Sequence, residues 1–339
     1  MSVYVIMPVY NGEKYLKLAI ESILNQSYSD FKFLILNDFS TDNSHNIITN
    51  FSDPRIIYVK NESNLRLAKT LNKALEIAKD ATFIFRMDQD DLSHPKRLHL
   101  QLDYLNKNPT VGILGAKMKI IDSERIIDYP CGPDLVKVHL LTYNPIGHPV
   151  VAIRASFLHE YDLKYREDIY TEDYDLWVRC SKFLKIDNLN EVLLSYRLHE
   201  GQMTGQTLKV AHDIKAGREY QLREYLKLNL EPLQLDLLHS LIEGSIEVQK
   251  ENLLQIKKVL NKIYSFNKKV GFYNQTILVA FMNDYLQVPL LTYRTKFFKN
   301  SSINFKELAE YFFSPFNHYS AFGLRESLGI LKRCLLDLK

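Results

Sequence analysis

Short apolar segments alternate with amphipathic segments through the first hundred residues of this chain. Strands are predicted at residues 3–7, 31–36, 56–59 and 82–87. Helices are predicted between them at residues 13–26 and 67–78, where apolar side chains recur at helical spacing. The strands are apolar on both faces, which is typical of a parallel sheet covered by helices on both sides. We therefore predict an α/β fold with a mostly parallel sheet flanked by helices.

The composition and the apolar periodicity of the sequence change at about residue 205. Before that point, less regular strands are predicted at residues 111–114, 117–121, 150–153 and 192–196. After it Gly and Pro are sparse, and apolar residues recur at helical spacing, as in Leu253, Ile256, Leu260 and Ile263 and again in Leu324, Leu328, Leu331, Leu335 and Leu338. Asn304 and Glu307 fit a capping box at a helix start. We predict an α/β domain at residues 1–205 and a helical region at residues 206–339.

Composition places the chain among soluble globular proteins. Of its 339 residues, 46% are hydrophobic and 24% are charged, which is ordinary for that class. The longest apolar run, residues 276–282, falls far short of the roughly 18 residues of a membrane-spanning helix. The chain begins with a predicted strand rather than a basic leader, and its three cysteines are widely spaced with no zinc pattern. We therefore expect a cytoplasmic protein with reduced thiols.

Charge is distributed unevenly between the two predicted regions. Residues 1–205 carry 24 Lys and Arg against 27 Asp and Glu, a net charge of −3, whereas residues 206–339 carry 19 against 13, a net charge of +6. Aromatic residues at 311–322 precede a stripe with Arg325, Lys332, Arg333 and Lys339. A basic amphipathic helix of this kind can lie on an anionic membrane. A packed helical domain and a dimer interface are the alternatives.

The stretch Asp88-Gln89-Asp90-Asp91 follows the predicted strand at residues 82–87. Its three carboxylates emerge where a strand ends, and ligands of open α/β sheets bind beyond the carboxyl ends of the strands. Clustered carboxylates repel one another unless a cation joins them, and a hard divalent cation that also contacts a phosphate fits this role. The alternatives are a solvated acidic turn and a helix N-cap formed by Asp91.

Polar residues follow other predicted strands and could meet in the same crevice. Asp38 could accept hydrogen bonds from a nucleobase or a ribose, and Tyr10 could stack on a base. Asp173, in the downstream stretch Thr171-Glu172-Asp173-Tyr174-Asp175-Leu176-Trp177, could take a proton from an incoming hydroxyl. Taken singly, Asp38 could be a turn residue, Tyr10 a core residue and Asp173 a helix cap. Their order and spacing together argue against these alternatives as a set.

These motifs in this order resemble glycosyltransferase family 2, which has the GT-A, Rossmann-like nucleotide-sugar fold. The matching stretches are Met7-Pro8-Val9-Tyr10-Asn11, Leu36-Asn37-Asp38-Phe39-Ser40-Thr41-Asp42, Arg86-Met87-Asp88-Gln89-Asp90-Asp91, His148-Pro149, Thr171 to Trp177 and Tyr196-Arg197-Leu198-His199. They cover roughly residues 1–205. The ordered set is specific, whereas each stretch alone is not.

The resemblance implies roles on the donor side. Asp38 would recognise the base, usually uracil, and Asp88 would contact the ribose or base side of the donor. Asp90 would coordinate Mn²⁺ or Mg²⁺ on the diphosphate, with His199 as a further metal or diphosphate contact beside Arg197. The other residues implied in donor binding are Pro8, Tyr10, Glu13, Asn64, Arg66 and Arg86.

The resemblance also implies roles on the acceptor side. Asp173 would be the general base and Glu172 would orient the acceptor, while His148 would lie near the acceptor or donor sugar. Trp177 could stack on an acceptor sugar, although its helical spacing from the acidic pair favours a core position. The family often has glycine where this chain has Arg66, so an added cation near the diphosphate or sugar is expected there.

The sequence thus predicts a cytoplasmic, metal-dependent, inverting glycosyltransferase. It would move a hexose or N-acetylhexosamine from a UDP-sugar to a glycan or lipid-linked oligosaccharide, in the synthesis of a bacterial surface polysaccharide such as lipopolysaccharide O-antigen or capsule. A peripheral position at the inner face of the cell membrane and a homo-oligomer are compatible with the C-terminal pattern. A nucleotidyltransferase, a non-catalytic sugar-nucleotide or glycan-binding protein and a scaffold are the rivals. Nucleic-acid binding is disfavoured because the predicted cleft is acidic.

Overall fold

The computed structural model describes residues 1–199, 207–247 and 249–299 of the chain. Several sequence predictions therefore lie outside the described residues. They are the capping box at Asn304 and Glu307, the leucine stripe at residues 324–338, and the aromatic and basic residues between 311 and 339.

A mixed sheet forms the centre of the described structure. Its nine strands are β1 (Val3–Val9), β2 (Lys32–Asn37), β3 (Ile56–Lys60), β4 (Phe83–Arg86), β5 (Leu92–Ser93), β6 (Val111–Ile120), β7 (Ile126–Ile127), β8 (Ala152–Arg154) and β9 (Lys185–Tyr196). They are ordered β3-β2-β1-β4-β8-β6-β9-β5, with β7 paired to β6.

The direction of the strands changes across the sheet. The strands β3, β2, β1 and β4 are all parallel, so β1, β2 and β4 end at the same edge. Strand β8 is antiparallel to both β4 and β6, whereas β9 runs parallel to β6. The predicted α/β fold is confirmed, and the polar residues that follow β1, β2 and β4 share one edge, as the crevice rule requires.

Helices lie between and after the strands. They are α1 (Leu16–Leu24), α2 (Ser44–Thr49), α3 (Leu67–Ile77), α4 (Arg97–Lys107), α5 (Pro133–His139), α6 (Ala155–Glu160), α7 (Glu172–Cys180), α8 (Thr207–Tyr220), α9 (Pro232–Ile242), α10 (Lys250–Val270) and α11 (Gln275–Lys299). A 3-10 turn covers His148–Val150 and a π-helical turn covers Gln221–Tyr225. Within these ranges, no helix is long and apolar enough to cross a membrane.

Two hydrophobic cores cover the two faces of the sheet. Alternate residues of β1 divide between them: Val5 and Met7 face one core, which also holds Ile20 of α1, whereas Tyr4 and Ile6 face the other. Because side chains alternate across a strand, a strand that is apolar at every position must be covered on both faces. The sequence pattern of the first strand therefore predicted both layers.

The chain divides into two compact units. One comprises Met1–Asn229 and Lys262–Val279 and contains the sheet; the other comprises Leu230–Asn261 and the residues from Ala280 onward. The apolar residues predicted to share a helix face in α10 are all buried, namely Leu253, Ile256, Leu260 and Ile263. The division of the chain into domains at residue 205 stays a prediction.

Candidate active site

Three carboxylates, here called the acidic cluster, lie together where β4 ends. Oxygens of Asp88, Asp90 and Asp91 lie within 4.8 Å of one another. Asp91 is fully buried, and its Oδ1 accepts a 2.9 Å hydrogen bond from the backbone N–H of Arg197. Its Oδ2 has no hydrogen-bond partner among the residues that the structure describes. Asp91 is therefore neither a solvated turn residue nor the N-cap of α4, which begins six residues later.

Burial and mutual repulsion both act on the acidic cluster. Burial, together with the charges of Asp88 and Asp90, raises the pKa of Asp91 to about 8. Burial also raises the pKa of Asp88, against the opposing charge of its ion-pair partner Arg86. Carboxylates that resist ionisation, with one buried oxygen lacking a donor, fit a hard divalent cation with oxygen ligands. The residues present are therefore suited to Mn²⁺ or Mg²⁺.

The chain after β9 returns to the acidic cluster. His199 Nε2 donates to Asp90 Oδ2 at 2.7 Å, and Arg197 Nε donates to the backbone carbonyl of Asp90 at 2.9 Å. The Arg197 guanidinium also lies 4.2 Å from the centre of the Tyr15 ring. The structure thus brings together residues that are 109 positions apart. Tyr15 was not among the predicted site residues, because an aromatic residue before a helix carries no distinctive signal.

Two buried arginines lie behind the acidic cluster. Arg86 is the last residue of β4 and pairs with Asp88. Arg97 is fully buried, and its Nη2 donates to the backbone carbonyls of Arg86 at 2.7 Å and Val151 at 3.2 Å. Burial lowers the pKa of Arg97 to about 9. Arg97 therefore ties the end of β4 to the start of β8, a role that sequence reasoning missed because a basic residue at a helix start usually lies on the surface.

Asp38 lies buried directly after β2. Its Oδ1 accepts 2.8 Å hydrogen bonds from the backbone N–H of Leu65 and from Asn61 Nδ2. Its Oδ2 accepts a 2.9 Å hydrogen bond from the backbone N–H of Arg66. A carboxylate offers roughly four acceptor positions, so these three bonds leave about one. Asp38 thus holds the loop at residues 61–66 and retains capacity for one further donor.

Arg66 has a backbone conformation that glycine adopts far more readily. Its φ is 69° and its ψ is 167°, a region that costs other residues roughly 1–3 kcal/mol. Its backbone N–H is shared between Asp38 and Asn64 Oδ1, the latter at 3.0 Å. The side chain of Arg66 is exposed. The sequence marked this position as a departure from glycine, and the structure locates it in the loop that Asp38 holds.

The loop after β1 is tied to the acidic stretch by one side-chain amide. Gln89 Oε1 accepts a 2.9 Å hydrogen bond from the Tyr10 backbone N–H, and Gln89 Nε2 donates to the Tyr10 carbonyl at 3.0 Å. Pro8 is buried within β1, whereas Tyr10 is 48% exposed. Glu13 Oε2 accepts a 2.9 Å hydrogen bond from the backbone N–H of Asn43. The exposed Tyr10 ring is therefore accessible, while Gln89, to which the sequence analysis gave no role, positions its backbone.

Glu172 is the first residue of α7 and is buried. Its Oε1 is 3.7 Å from His148 Nδ1, and His148 Nε2 is 3.1 Å from the Tyr165 hydroxyl. Burial and the Arg86 charge lower the pKa of His148 well below its ordinary value, so the imidazole is neutral. Burial and the adjacent Asp173 raise the pKa of Glu172 to about 8. Glu172 therefore keeps its proton to higher pH than an ordinary glutamate does.

Asp173 follows Glu172 but has different hydrogen-bond partners. Its Oδ2 accepts a 2.7 Å hydrogen bond from Asn144 Nδ2. Burial raises the pKa of Asp173, while a backbone N–H, Asn144 and the charge of Arg86 oppose the shift. Arg86 also interacts electrostatically with Glu172 and with Asp88. One guanidinium therefore lies within electrostatic range of both the acidic cluster and the two carboxyls that begin α7.

Trp177 lies in the core on one face of the sheet. It is fully buried, and its ring meets the His148 ring edge-on at 5.9 Å between centroids. A buried ring has no exposed face on which a sugar could stack. The structure thus supports the core interpretation of Trp177.

We expect the stability of the protein to depend on pH through Glu172. Because its pKa rises from an ordinary 4.5 to about 8 on folding, the folded state binds more protons than the unfolded state in this window. The stabilisation is complete below about pH 4.5 and is lost as the pH rises through 8. Glu172→Gln cannot ionise, so it should raise the melting temperature relative to wild type more at pH 8 than at pH 5. Scanning fluorimetry at both pH values measures this; an equal difference at both would contradict it.

Comparisons with known proteins agree with this geometry. Residues 4–147, which include Asp38 and the acidic cluster, match the glycosyl transferase family 2 domain. An uncharacterized glycosyltransferase of Haemophilus influenzae is 30% identical over 318 residues, which span 88% of this chain and 95% of that protein. The chain belongs to glycosyltransferase family 2. It is thus a transferase, and the family predicted from the sequence is confirmed.

Two further likenesses bear on this family 2 glycosyltransferase. The Escherichia coli UDP-Glc:alpha-D-GlcNAc-diphosphoundecaprenol beta-1,3-glucosyltransferase WfgD is 29% identical over 210 residues, covering 61% of this chain and 81% of that protein. The structure of S. aureus TarS residues 1–349 in complex with UDP-GlcNAc matches with a TM-score of 0.59 and 19% identity, covering 87% of this chain and 92% of that chain. The latter likeness establishes a shared fold.

Proposed function

We propose that this glycosyltransferase moves a hexose or N-acetylhexosamine from a UDP-sugar to a lipid-linked glycan, with inversion at the anomeric carbon. The observation that carries the proposal is the position of Arg86. Its guanidinium pairs with Asp88 of the acidic cluster and interacts with Glu172 at the start of α7. Arg86 thus interacts with both the acidic cluster and the start of α7, which supports a diphosphate site and a general base in one crevice.

The donor nucleotide would bind at the loops after β1 and β2. The remaining acceptor position of Asp38 suits the imide N–H of uracil, and the exposed ring of Tyr10 suits stacking on the base. TarS was crystallised with UDP-GlcNAc, and the name of WfgD specifies UDP-Glc. Both likenesses support a uridine nucleotide as the donor.

The acidic cluster would hold the cation of the reaction. Asp90 would be its principal ligand, as the family resemblance implies, with Asp91 and Asp88 alongside, since oxygens of all three lie within 4.8 Å of one another. A bound divalent cation would neutralise negative charge on the leaving diphosphate. His199 and Arg197 contact Asp90 directly; the Arg197 guanidinium would add positive charge there, and both side chains would add polar groups at the same place.

Asp173 would act as the base. As the acceptor hydroxyl attacks the anomeric carbon, its O–H bond breaks and the proton passes to the Asp173 carboxylate. The new C–O bond forms while the bond to the diphosphate breaks, and the electron pair leaves on the nucleotide. One base and one cation suffice for one displacement with inversion, whereas two displacements with retention would need a second carboxylate close to the sugar.

The name of one relative bears on the acceptor. WfgD acts, by its name, on a GlcNAc joined through a diphosphate to undecaprenol, which supports a lipid-linked acceptor here. A role in bacterial surface polysaccharide synthesis, contact of the C-terminal helices with the inner face of the membrane, and a homo-oligomer stay predictions from the sequence.

A thermal-shift panel tests the donor and the cation. UDP should raise the melting temperature of the wild type in the presence of Mn²⁺, because a ligand that binds only the native state stabilises it by mass action. GDP, CDP and dTDP should give smaller shifts. In Asp90→Ala the Mn²⁺-dependent part of the UDP shift should disappear. A full shift with GDP alone would overturn the choice of uridine, and an unchanged shift in Asp90→Ala would overturn the cation site.

A further inference from the structure

Two neighbouring carboxyls begin α7, and the family resemblance makes Asp173 the base. Their surroundings differ. Glu172 faces the neutral His148 at 3.7 Å, whereas Asp173 accepts a 2.7 Å hydrogen bond from Asn144. Hydrogen bonds to the charged form of a carboxyl favour that form. Asn144, which was not among the predicted site residues, therefore distinguishes the two carboxyls.

The amide of Asn144 has only one orientation compatible with this contact. An ionised carboxylate accepts hydrogen bonds and donates none, so the NH₂ end of the amide must face Asp173. The other end, Asn144 Oδ1, is buried and has no hydrogen-bond donor among the described residues. A buried carbonyl without a donor is destabilising, and such groups in native proteins call for an explanation. The contact with Asp173 supplies one.

Hydrogen bonds from Asn188 and close packing on β6 hold the loop that carries Asn144 in place. Asn188 of β9 is buried, and its Nδ2 donates to the backbone carbonyls of Pro145 at 3.0 Å and Pro130 at 2.8 Å. At Gly147 a Cβ atom would lie 2.8 Å from the Met118 side chain, so the loop packs closely on β6. A side chain on a loop fixed in this way keeps a defined direction, which a positioning role requires.

We propose that Asn144 positions Asp173 as the general base by holding Oδ2, so that Oδ1 is the oxygen that takes the acceptor proton. The inference rests on the proposed function and deepens it. Asn144 touches neither the donor nor the reacting carbon in this scheme. It acts through Asp173. Substitution of Asn144 should therefore change the pKa and the side-chain orientation of Asp173 and leave binding of the donor intact.

Other charged and titratable groups near Asp173 also influence its pKa. They are Glu172, Arg86, Tyr129 and Tyr165. None of them is altered by a substitution at Asn144. A change in the pH dependence of the reaction on substitution of Asn144 alone is therefore attributable to its contact with Asp173.

Two substitutions of Asn144 give a graded test. Asn144→Ala removes the donor, and the isosteric Asn144→Asp replaces it with a group of like charge. The reaction measured is hydrolysis of UDP-glucose and UDP-GlcNAc with Mn²⁺, in which water replaces the glycan acceptor and UDP is released. We expect Asn144→Ala to lower kcat about tenfold to a hundredfold, with KM for the UDP-sugar unchanged. The acid limb of the kcat profile should move to higher pH by about one unit, since a hydrogen bond to a charged group is comparable to one pKa unit.

Asn144→Asp should move the acid limb further than Asn144→Ala. Neither variant should lose the UDP shift in melting temperature, and Asn144→Ala should melt within a few degrees of wild type because it also removes the unpaired carbonyl. Asn108→Ala is the matched control: Asn108 is similarly half-buried, but its Nδ2 donates to the Tyr104 carbonyl of α4 at 2.9 Å. Its pH profile should match wild type.

Three outcomes are distinguishable. An acid limb that moves in the order wild type, Asn144→Ala, Asn144→Asp supports the inference. A fall in kcat with the acid limb unmoved, or no change in either, overturns the positioning role while the proposed function stands. Wild-type protein that neither binds UDP nor releases it from any UDP-sugar overturns the proposed function itself.

Discussion

Asp173→Asn should lower the rate of UDP release from UDP-sugars by about a thousandfold, within the range of general-base substitutions. The substitution is isosteric, and asparagine can still contact the Asn144 side chain that now meets Asp173 at 2.7 Å. What it removes is the ability to take a proton. Steady-state kinetics with UDP-glucose, UDP-galactose and UDP-GlcNAc, each with Mn²⁺, measures the loss. Binding of UDP, followed by thermal shift, should persist in the variant.

Two variants on the same helix separate this effect from damage to α7. Asp175→Asn removes a carboxylate that pairs with Arg179 at 2.7 Å and that has no role in the proposed reaction, so activity should stay near wild type. Glu172→Gln should lose only about tenfold, because Glu172 takes no proton in the proposed reaction. A greater loss in Glu172→Gln than in Asp173→Asn would assign the base to Glu172 instead.

Trp177→Ala should lower the free energy of unfolding by about 3–5 kcal/mol, the usual cost of removing a large buried aromatic side chain. Trp177 is fully buried and packs edge-on against His148, so the substitution leaves a cavity beside His148. Denaturant titration monitored by far-ultraviolet circular dichroism measures the change, and the midpoint should fall without a change in slope.

Trp177→Phe provides the conservative comparison. It keeps an aromatic ring and removes the indole N–H, which is buried without a hydrogen-bond partner among the described residues. Its cost should therefore be well below that of Trp177→Ala. Phe183→Ala truncates a side chain that is 40% exposed. It should lower the free energy of unfolding less than either substitution at Trp177. If Trp177→Ala left stability unchanged and altered only the use of glycan acceptors, the core assignment would be wrong.

Local patterns predicted the first part of the fold better than the second. The strand predicted at residues 82–87 is β4 at Phe83–Arg86, and the helix predicted at 67–78 is α3 at Leu67–Ile77. The strands predicted at 111–114 and 117–121 are one strand, β6. Its pairing with β9 shifts register at Ala116 and Lys117. The apolar pattern is irregular at this point, and the prediction of two separate strands was wrong. A partner strand that is distant in sequence decides whether such a segment stays continuous.

Sequence pattern alone predicted which strands end at one edge of the sheet and which polar residues follow them. Two-sided apolar strands require cover on both faces, and parallel strands end at one edge; this placed Asp38 and the acidic cluster correctly. Only the tertiary structure decided which partners these groups have. Asn144 meets Asp173 across 29 positions and His199 meets Asp90 across 109. Such contacts depend on how separate segments pack, and no local periodicity encodes them, because a hydrogen bond forms wherever folding brings donor and acceptor within reach.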